Sequence, residues 1–413
     1  MQQWGGTLDF IENSAKEKSY DQIFLTGATG ILGSHLLKTI LESTQSEVHC
    51  LVRADSKEQA FERLRSSVLV YDKAFQLLNF ADRIHIVLGD VSQRELGLST
   101  EDYQELADTI SATVHVAALT DLFLNYRRIE PVNLGGTCHI IDFVLETREK
   151  YLCHVSTHTV MGDKTFDGSV IFKETDLDIG QGFDHMTYQH TKFLAEKKVH
   201  EARERGLKWN IMRPGQIFGD SKTGSYPLGH SQITGLFYDI FRTVIATSSA
   251  FKSNTYFDIV PVDYVSQGIV ELGLKRNSYF ETYHLTNPDT KHYTEVIQLI
   301  KDYGYPIIWT SQEDYRDRLL NKTFMKDGVE FKSATLSAFR WWFKRNFNFQ
   351  ESAKTCSQYT HGIMETIGKS CPKVDVKLIG TYVEAGVKSG YFSSLPSTKV
   401  RDSAAQKELE SVV

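Results

Sequence analysis

The first half of the chain alternates short runs of β-branched and other apolar residues with longer stretches in which apolar positions recur at helical spacing. This alternation is typical of βαβ units, which pack as a parallel sheet covered by helices. The predicted strands are residues 22–27, 47–53, 83–90, 112–118, 151–157 and 208–215. The pattern therefore predicts an α/β fold of the Rossmann type, with a doubly wound parallel sheet.

The regular alternation ends after residue 215. A loop rich in glycine, serine and proline is predicted at 219–230, strand-like runs return near 256 and at 282–288, and the pattern from about 290 to 395 is mostly helical and aromatic. We therefore expect a smaller, mostly helical C-terminal lobe beside the sheet. The predicted division is a Rossmann domain at 1–220 that returns at 256–288, a lobe made of 221–255 and 289–395, and a tail at 396–413.

Composition narrows the possible functions. The 413 residues are 41% hydrophobic and 24% charged, as in ordinary soluble proteins, and the net charge of −6 argues against general nucleic-acid binding. The chain contains no apolar run of about 18 residues and no N-terminal secretion signal, so neither a membrane-spanning helix nor export is expected. Five scattered cysteines without a C-x-x-C pair favour a reduced, cytoplasmic protein without a metal site.

A glycine-rich turn, TGATGILG, joins the first predicted strand to a helix. Glycine tolerates a tight turn there and lets a diphosphate approach the backbone, and the helix N-terminus attracts its negative charge. At the start of the first βαβ unit this turn predicts a dinucleotide site, although such a turn can also serve only to pack helix on strand. The predicted contacts are Thr26, Gly27, Thr29, Gly30, Ile31, Leu32 and Gly33.

The residue at the end of the second strand usually distinguishes an NAD site from an NADP site. An acidic residue there usually binds the ribose hydroxyls of NAD, whereas arginine binds the 2′-phosphate of NADP. Here Arg53 ends the strand, and Arg63 on the following helix could reach the same phosphate or could be a solvated helix residue. NADPH is therefore favoured, although Asp55 lies close by.

The ends of the third and fourth strands complete the predicted groove. Asp90 and Val91 would contact the adenine, and the small residues of HVAAL would let the ribose and diphosphate pass close to the backbone. In that segment the predicted contacts are Ala117, Ala118 and Leu119.

The segment YQHTK places Tyr188 and Lys192 four residues apart in a predicted helix, so both side chains share one face. A chain of this composition is expected to contain about one such pair by chance. The pair becomes informative only through the motifs around it.

Together these motifs resemble those of the extended short-chain dehydrogenase/reductases, and among them the thioester reductase domains that end peptide and polyketide synthetases and carboxylic acid reductases. The resemblance is carried by TGATGILG, LVRA, GDV, HVAAL, VNLGGT, VSTHTVMGD, YQHTKFLAE, RPGQIFGDSKTG and IVPVDYVS. The chain departs from the family between the tyrosine and the lysine, where Gln189 and His190 replace the usual smaller residues.

The resemblance implies a role for each catalytic residue. Tyr188 would donate a proton to the substrate carbonyl oxygen, and Lys192 would bind the nicotinamide ribose and lower the pKa of the tyrosine. Thr157 would hold the substrate oxygen. Ser156 would lie nearer the cofactor, or would only satisfy a backbone group at the strand end.

Further cofactor contacts follow from the same resemblance. Asn133 matches a supporting asparagine of the family, with a helix cap as the alternative. Pro214, Gly215 and Ile217 match the segment that passes the nicotinamide carboxamide.

The implied activity is NADPH-dependent reduction of an acyl thioester to an aldehyde, and possibly on to the alcohol, by direct hydride transfer. The thioester would sit on the phosphopantetheine arm of an acyl carrier protein in trans, or on CoA. The alternatives are a nucleotide-sugar epimerase or hydroxysteroid-type dehydrogenase, and a non-catalytic NADPH sensor. The aromatic and basic stretch 339–349 is expected to complete the core of the lobe, or else to dock an acidic carrier protein or a membrane.

Overall fold

Seven parallel strands form the central sheet of the protein, seen in a computed structural model that describes residues 19–121, 124–146, 151–163, 170–228, 235–320 and 354–395. In chain order the strands are β1 (Gln22–Thr26), β2 (Glu47–Val52), β3 (Ile84–Leu88), β4 (Ala112–His115), β5 (Tyr151–Val155), β6 (Lys208–Pro214) and β7 (Glu281–Leu285). Their order across the sheet is β7-β6-β5-β4-β1-β2-β3. The predicted doubly wound Rossmann sheet is therefore confirmed.

Helices cover both faces of this sheet and build the C-terminal region. In chain order they are α1 (Ile31–Ser43), α2 (Lys57–Leu69), α3 (Thr100–Thr109), α4 (Tyr126–Glu130), α5 (Gly136–Leu145), α6 (Thr187–Glu201), α7 (Leu236–Thr247), α8 (Val262–Gly268), α9 (Tyr293–Tyr303), α10 (Gln312–Leu320), α11 (Gln358–Thr366) and α12 (Val376–Lys388). Tighter or wider helical turns occupy Leu77–Arg83, Arg94–Gly97, Pro131–Gly135, His158–Met161, Ala202–Arg205 and Ile269–Lys275. Short strands pair outside the main sheet at Ile171–Phe172, Gln216–Phe218, Ser249–Ala250, Tyr256–Phe257, Ile259–Pro261, Lys291–His292, Ile308–Trp309 and Lys354–Thr355.

The central strands are apolar along their length because both of their faces are buried. In β1, Ile23 and Leu25 join the core beneath α1 and α8, whereas Phe24 joins the core beneath α3 and α5. Successive side chains of a strand point to opposite faces of the sheet, and here helices cover both faces.

The strands end one to three residues earlier than the sequence pattern predicts. The lost positions include Gly27, Arg53, Asp90, Thr157 and Gly215, which leave the sheet at its carboxyl edge. Backbone pairing in the sheet decides where each strand ends, and the pattern of apolar residues does not reveal this pairing.

A second hydrophobic core lies in the C-terminal region and joins α7, α9 and α12. Tyr238, Ile297 and Tyr382 are buried in it. Phe257 and Ile259 also belong to this core, although the sequence pattern assigns them to the returning part of the Rossmann domain. The strand predicted near residue 256 is divided into two short strands, with Asp258 between them.

Among the residues that the structure describes, no helix is both long and apolar enough to cross a membrane. The stretch 339–349 and the tail 396–413 lie outside the described residues.

Candidate active site

A cavity of about 1320 Å³ opens at the carboxyl ends of the central strands and extends to the C-terminal region. This is the edge at which parallel α/β sheets bind ligands. The predicted site residues that line it are Gly27, Thr29, Gly30, Ile31, Leu32, Gly33, Arg53, Arg63, Asp90, Val91, Ala117, Ala118, Leu119, Ser156, Thr157, Tyr188, Lys192, Pro214, Gly215 and Ile217.

The glycine turn after β1 is packed too closely for larger residues. Gly27 has a φ of +75°, and a Cβ there would lie 2.7 Å from the backbone nitrogen of Ala117. A Cβ on Gly33 would lie 2.0 Å from the carbonyl oxygen of Gly27. The turn therefore brings the N-terminus of α1 to the cavity without side chains in between, as a diphosphate site requires.

Thr26 and Asn133 do not line the cavity but support its wall from behind. The Thr26 hydroxyl accepts a hydrogen bond from the backbone N–H of Ala117 at 3.2 Å and also bonds to Nδ1 of His115 at 2.8 Å. The Asn133 amide accepts from the backbone N–H of Leu119 at 2.8 Å and donates to its carbonyl at 3.0 Å. Both side chains thus fix the loop after β4, on which cofactor contacts were predicted.

Two arginines meet at the end of β2. The Arg53 guanidinium is 66% exposed and lies 3.7 Å from a carboxylate oxygen of Asp90, which follows β3. Arg63, on α2, donates a hydrogen bond to the backbone carbonyl of Arg53. The structure therefore gathers two cationic groups and one carboxylate at the predicted adenosine end of the cavity.

Thr157, Tyr188 and Lys192 come together beneath the end of β5. Thr157 begins the helical turn His158–Met161, and its hydroxyl accepts a hydrogen bond from the N–H of Thr159 at 3.2 Å. Tyr188 and Lys192 share one face of α6, and the Tyr188 side chain hydrogen bonds to Thr157. The Lys192 ammonium donates to the carbonyl oxygen of Val155 at 2.7 Å.

Burial controls the acidity of this group. It raises the pKa of Tyr188 to about 12, against a smaller lowering by the hydrogen bond from Thr157. Burial also lowers the pKa of Lys192 to about 8, and the nearby Glu196 carboxylate opposes that shift. The resemblance implied that the Lys192 charge lowers the pKa of Tyr188; that effect stays a prediction, and in this structure desolvation of the phenol raises the pKa.

A buried ion pair holds α6 against β6. Arg213 and Glu196 have fully buried side chains, and the guanidinium donates to the carboxylate at 2.7 Å. His284 of β7 lies 3.2 Å from the same guanidinium. This network fixes the helix that carries Tyr188 and Lys192.

The two unusual residues between tyrosine and lysine have different surroundings. Gln189 lines the cavity. His190 does not line it, and its ring stacks on Phe183 with 5.1 Å between centroids. Of the two, Gln189 is therefore the one placed to affect a ligand directly.

Sequence patterns missed a large part of the cavity wall. Its further residues include His158, Tyr226, Phe237, Tyr256, Asp258, Asn287, Ser357 and His361. Asp258 had one visible signal, since it is a charged residue inside the apolar run YFDIVPV. Ser357 and His361 follow the short strand Lys354–Thr355, which pairs with Ile171–Phe172, and His361 also bonds to the carbonyl oxygen of Thr286 at 2.9 Å.

Among the described residues, one group of potential metal ligands lies apart from the cavity. The donor atoms of Glu47, His49 and His85 are within 4.8 Å of one another. His85 Nε2 already bonds to Glu47 at 2.7 Å, and His49 Nε2 bonds to Gln22 at 2.7 Å. A polar network on the sheet explains this group without a metal.

Comparison with known proteins places this site in a family context. Residues 25–269 match the model of a family described as male sterility protein, whose name denotes an NAD-binding domain. The match covers the glycine turn, the arginine-marked strand, Thr157, Tyr188 and Lys192.

The individual relatives include a peptide synthase subunit, a reductase and a solved R domain. The chain is 28% identical over 380 residues to a linear gramicidin synthase of Brevibacillus parabrevis, covering 92% of this chain and 7% of that protein. It is 26% identical to L-2-aminoadipate reductase of Saccharomyces cerevisiae, covering 75% of this chain and 23% of that protein. The crystal structure of the terminal R domain from the myxalamid PKS-NRPS biosynthetic pathway superposes with a TM-score of 0.77 at 28% identity, covering 92% of this chain and 93% of that one. The chain thus spans a small part of these curated relatives but nearly all of the R domain.

Proposed function

The chain belongs to the male sterility protein family of NAD-binding domains, and we propose that it is an NADPH-dependent reductase that converts an acyl thioester into an aldehyde and a thiol. The observation that carries the proposal is the meeting of Thr157, Tyr188 and Lys192 in the same cavity as the glycine turn. The similarity to an L-2-aminoadipate reductase and to the R domain supports the same reaction class.

The residues present fit NADPH. The turn at Gly27 and Gly33 has no room for a Cβ and leaves the start of α1 open to a diphosphate. Arg53 and Arg63 supply the positive charge that a 2′-phosphate needs, and a planar guanidinium suits bidentate phosphate contacts. When bound, NADPH would supply a hydride to the carbonyl carbon of the thioester.

The protein's own groups would handle the protons. Tyr188 would give its phenolic proton to the carbonyl oxygen as the carbon is reduced, and Thr157 would hold that oxygen by a hydrogen bond. A pKa of about 12 keeps Tyr188 protonated and ready to donate at neutral pH. Lys192, fixed on the carbonyl of Val155, would bind the nicotinamide ribose.

The acyl group would arrive on a phosphopantetheine arm, either of a carrier protein in trans or of CoA. The relatives named as a gramicidin synthase and a PKS-NRPS R domain favour a carrier protein. We also propose that the division into a cofactor domain and a substrate-binding lobe holds functionally, and that the reaction takes place in the cytoplasm.

An assay of NADPH oxidation tests the proposal. Acyl thioesters of CoA, of N-acetylcysteamine and of a carrier protein should be reduced, and mass spectrometry should identify the aldehyde, or the alcohol if a second reduction follows. Nucleotide sugars and steroids are the matched negative substrates. Turnover of either of these, without thioester reduction, would refute the proposed function in favour of another extended dehydrogenase.

A further inference from the structure

A buried pair of a histidine and an aspartate lies in the cavity wall, next to the predicted catalytic residues. His158 directly follows Thr157, Asp258 lies between two short strands, and both residues line the cavity. His158 is 8% exposed and Asp258 is 6% exposed. Nδ1 of His158 is 3.8 Å from Oδ2 of Asp258.

Asp258 is held by one oxygen only. Its Oδ1 accepts a hydrogen bond from the backbone N–H of Asn287 at 2.7 Å. Oδ2 has no hydrogen-bond partner among the described residues, and neither has Nε2 of His158. Buried polar atoms are nearly always paired, so two unpaired atoms in adjacent groups call for a functional explanation.

Gly215 brings this carboxyl to the reaction centre. A Cβ at Gly215 would lie 1.8 Å from Oδ2 of Asp258, so glycine is required for the carboxyl to approach that segment. Pro214, Gly215 and Ile217 are the predicted neighbours of the nicotinamide, where the thioester carbon must also lie. His158 is therefore next to Thr157, the predicted contact of the substrate oxygen. Asp258 is next to Gly215, a predicted contact of the nicotinamide.

The thiol product of thioester reduction needs a proton besides the one that Tyr188 exchanges with the carbonyl oxygen. The proton that Tyr188 gives to the carbonyl oxygen returns to it when the thiohemiacetal collapses and the C=O bond re-forms. In the same step the C–S bond breaks, and its electron pair stays on sulfur, which must take up another proton. The overall reaction consumes one proton from solvent, and this proton ends on the thiol.

We propose that Asp258, acting with His158, donates the proton that the departing sulfur takes up. The proton moves from the Asp258 carboxyl, directly or through the His158 imidazole, to the sulfur of the phosphopantetheine thiol. The carboxylate that remains is reprotonated from solvent through the open cavity. This role rests on the proposed thioester reduction and adds a third group to its acid–base chemistry.

The charges around Asp258 agree with a carboxyl that is protonated near neutral pH. Burial raises the pKa of Asp258 to about 7, against a smaller lowering by the Asn287 N–H. Burial lowers the pKa of His158 to about 4, so the imidazole is neutral and can accept and pass on a proton. Tyr264 and Cys371 also face the carboxyl, and burial raises both of their pKa values, so they stay uncharged.

The test varies the thiol and keeps the acyl group constant. Wild type, Asp258→Asn and His158→Gln are assayed with the same acyl group on N-acetylcysteamine, an alkanethiol, and on thiophenol, whose more acidic thiol leaves without help. Asp258→Asn should slow the alkyl thioester by at least about 100-fold and the aryl thioester far less. Asp263→Asn is the matched control, since Asp263 is a buried carboxylate that does not line the cavity. It accepts a hydrogen bond of 2.6 Å from the Ser221 hydroxyl.

Two readouts do not depend on turnover of the variant. NADPH binding, followed by fluorescence, should be the same in wild type and Asp258→Asn, and difference infrared spectroscopy should show the Asp258 carboxyl titrating near neutral pH. If the variant does not fold, wild type alone is decisive: at saturating NADPH its alkyl thioester rate should fall above about pH 7, while its aryl thioester rate should not.

The outcomes are distinguishable. Equal losses with both thioesters, no loss with either, or parallel pH profiles in wild type would overturn the acid role and leave thioester reduction standing. Wild type that reduces no thioester would overturn both proposals.

Discussion

The Lys192 ammonium donates a hydrogen bond of 2.7 Å to the carbonyl oxygen of Val155, the last residue of β5. This contact joins the helix that carries Tyr188 to the strand end that carries Thr157. The fold itself thus sets the geometry of the predicted catalytic residues. A fixed site of this kind loses little freedom when a ligand binds.

Lys192→Met should reduce both NADPH affinity and turnover, because the proposed ribose contact and the anchor on Val155 are lost together. Since the pKa of Lys192 is lowered to about 8, its positive charge is present at neutral pH and disappears above that value. Wild-type NADPH affinity, measured by fluorescence titration, should therefore weaken as the pH rises through about 8. The variant should lack this pH dependence, and an identical pH profile would argue against a ribose contact.

Tyr188→Phe should cut turnover by at least about 100-fold, the scale of general acid–base catalysis, and leave NADPH affinity nearly unchanged. Steady-state kinetics and a binding titration on the same preparation separate the two effects. Tyr103→Phe, a buried tyrosine outside the cavity wall, is the control. Full activity of Tyr188→Phe would remove this residue from the mechanism.

Arg53→Ala should weaken NADPH more than NADH, by about 10-fold or more, because only NADPH carries the 2′-phosphate. Arg63→Ala should act in the same direction, since Arg63 bonds to the carbonyl of Arg53 and lies in the same wall. Arg65→Ala controls for charge on α2, because Arg65 pairs with Glu62 instead. The same loss for both cofactors would contradict the phosphate contact.

Asp258→Asn should become more stable relative to wild type as the pH rises. The pKa of Asp258 is raised by burial to about 7, so the folded state holds this proton more tightly than the unfolded state does. Wild type therefore loses stability from about pH 4, the ordinary pKa of an aspartate, to about pH 7, and the loss levels off once the folded carboxyl has ionised. Thermal melts across this range should show a difference between variant and wild type that grows and then stays level. A constant difference would mean that Asp258 does not titrate as described.

Glu196→Ala should destabilise the fold by about 3 to 5 kcal/mol, because it leaves the fully buried guanidinium of Arg213 without its carboxylate. Urea unfolding measures the change. Glu201→Ala, which removes an exposed partner of Lys198 on the same helix, should change the free energy of unfolding far less, because solvent screens that pair. Similar losses for the two variants would argue that the buried pair does not hold α6.

The position of several predicted site residues at one edge of the sheet could be predicted because these residues follow strands. Gly27, Arg53, Asp90 and Thr157 each come shortly after a buried apolar run, and the carboxyl ends of parallel strands meet at one edge. The relation of Tyr188 to Lys192 follows from helical spacing alone.

The remaining wall could not be predicted for a physical reason. Asp258, Asn287 and His361 reach the cavity through short strand pairs and turns that depend on long-range contacts, and no local spacing encodes them. The high pKa of Tyr188 was likewise not readable from the sequence, because desolvation depends on everything that packs around the phenol.

The cavity is lined by two parts of the chain, one that matches the family model and one that lies beyond the match. The segment that matches the family, 25–269, holds the predicted cofactor contacts and proton donors, whereas Asn287, Ser357 and His361 come from beyond it. Substitutions in the later segment would change the space offered to the proposed acyl group and leave the predicted cofactor contacts and proton donors as they are. We therefore expect the substrate preference to be set largely by residues beyond 269 and the cofactor preference by residues within 25–269.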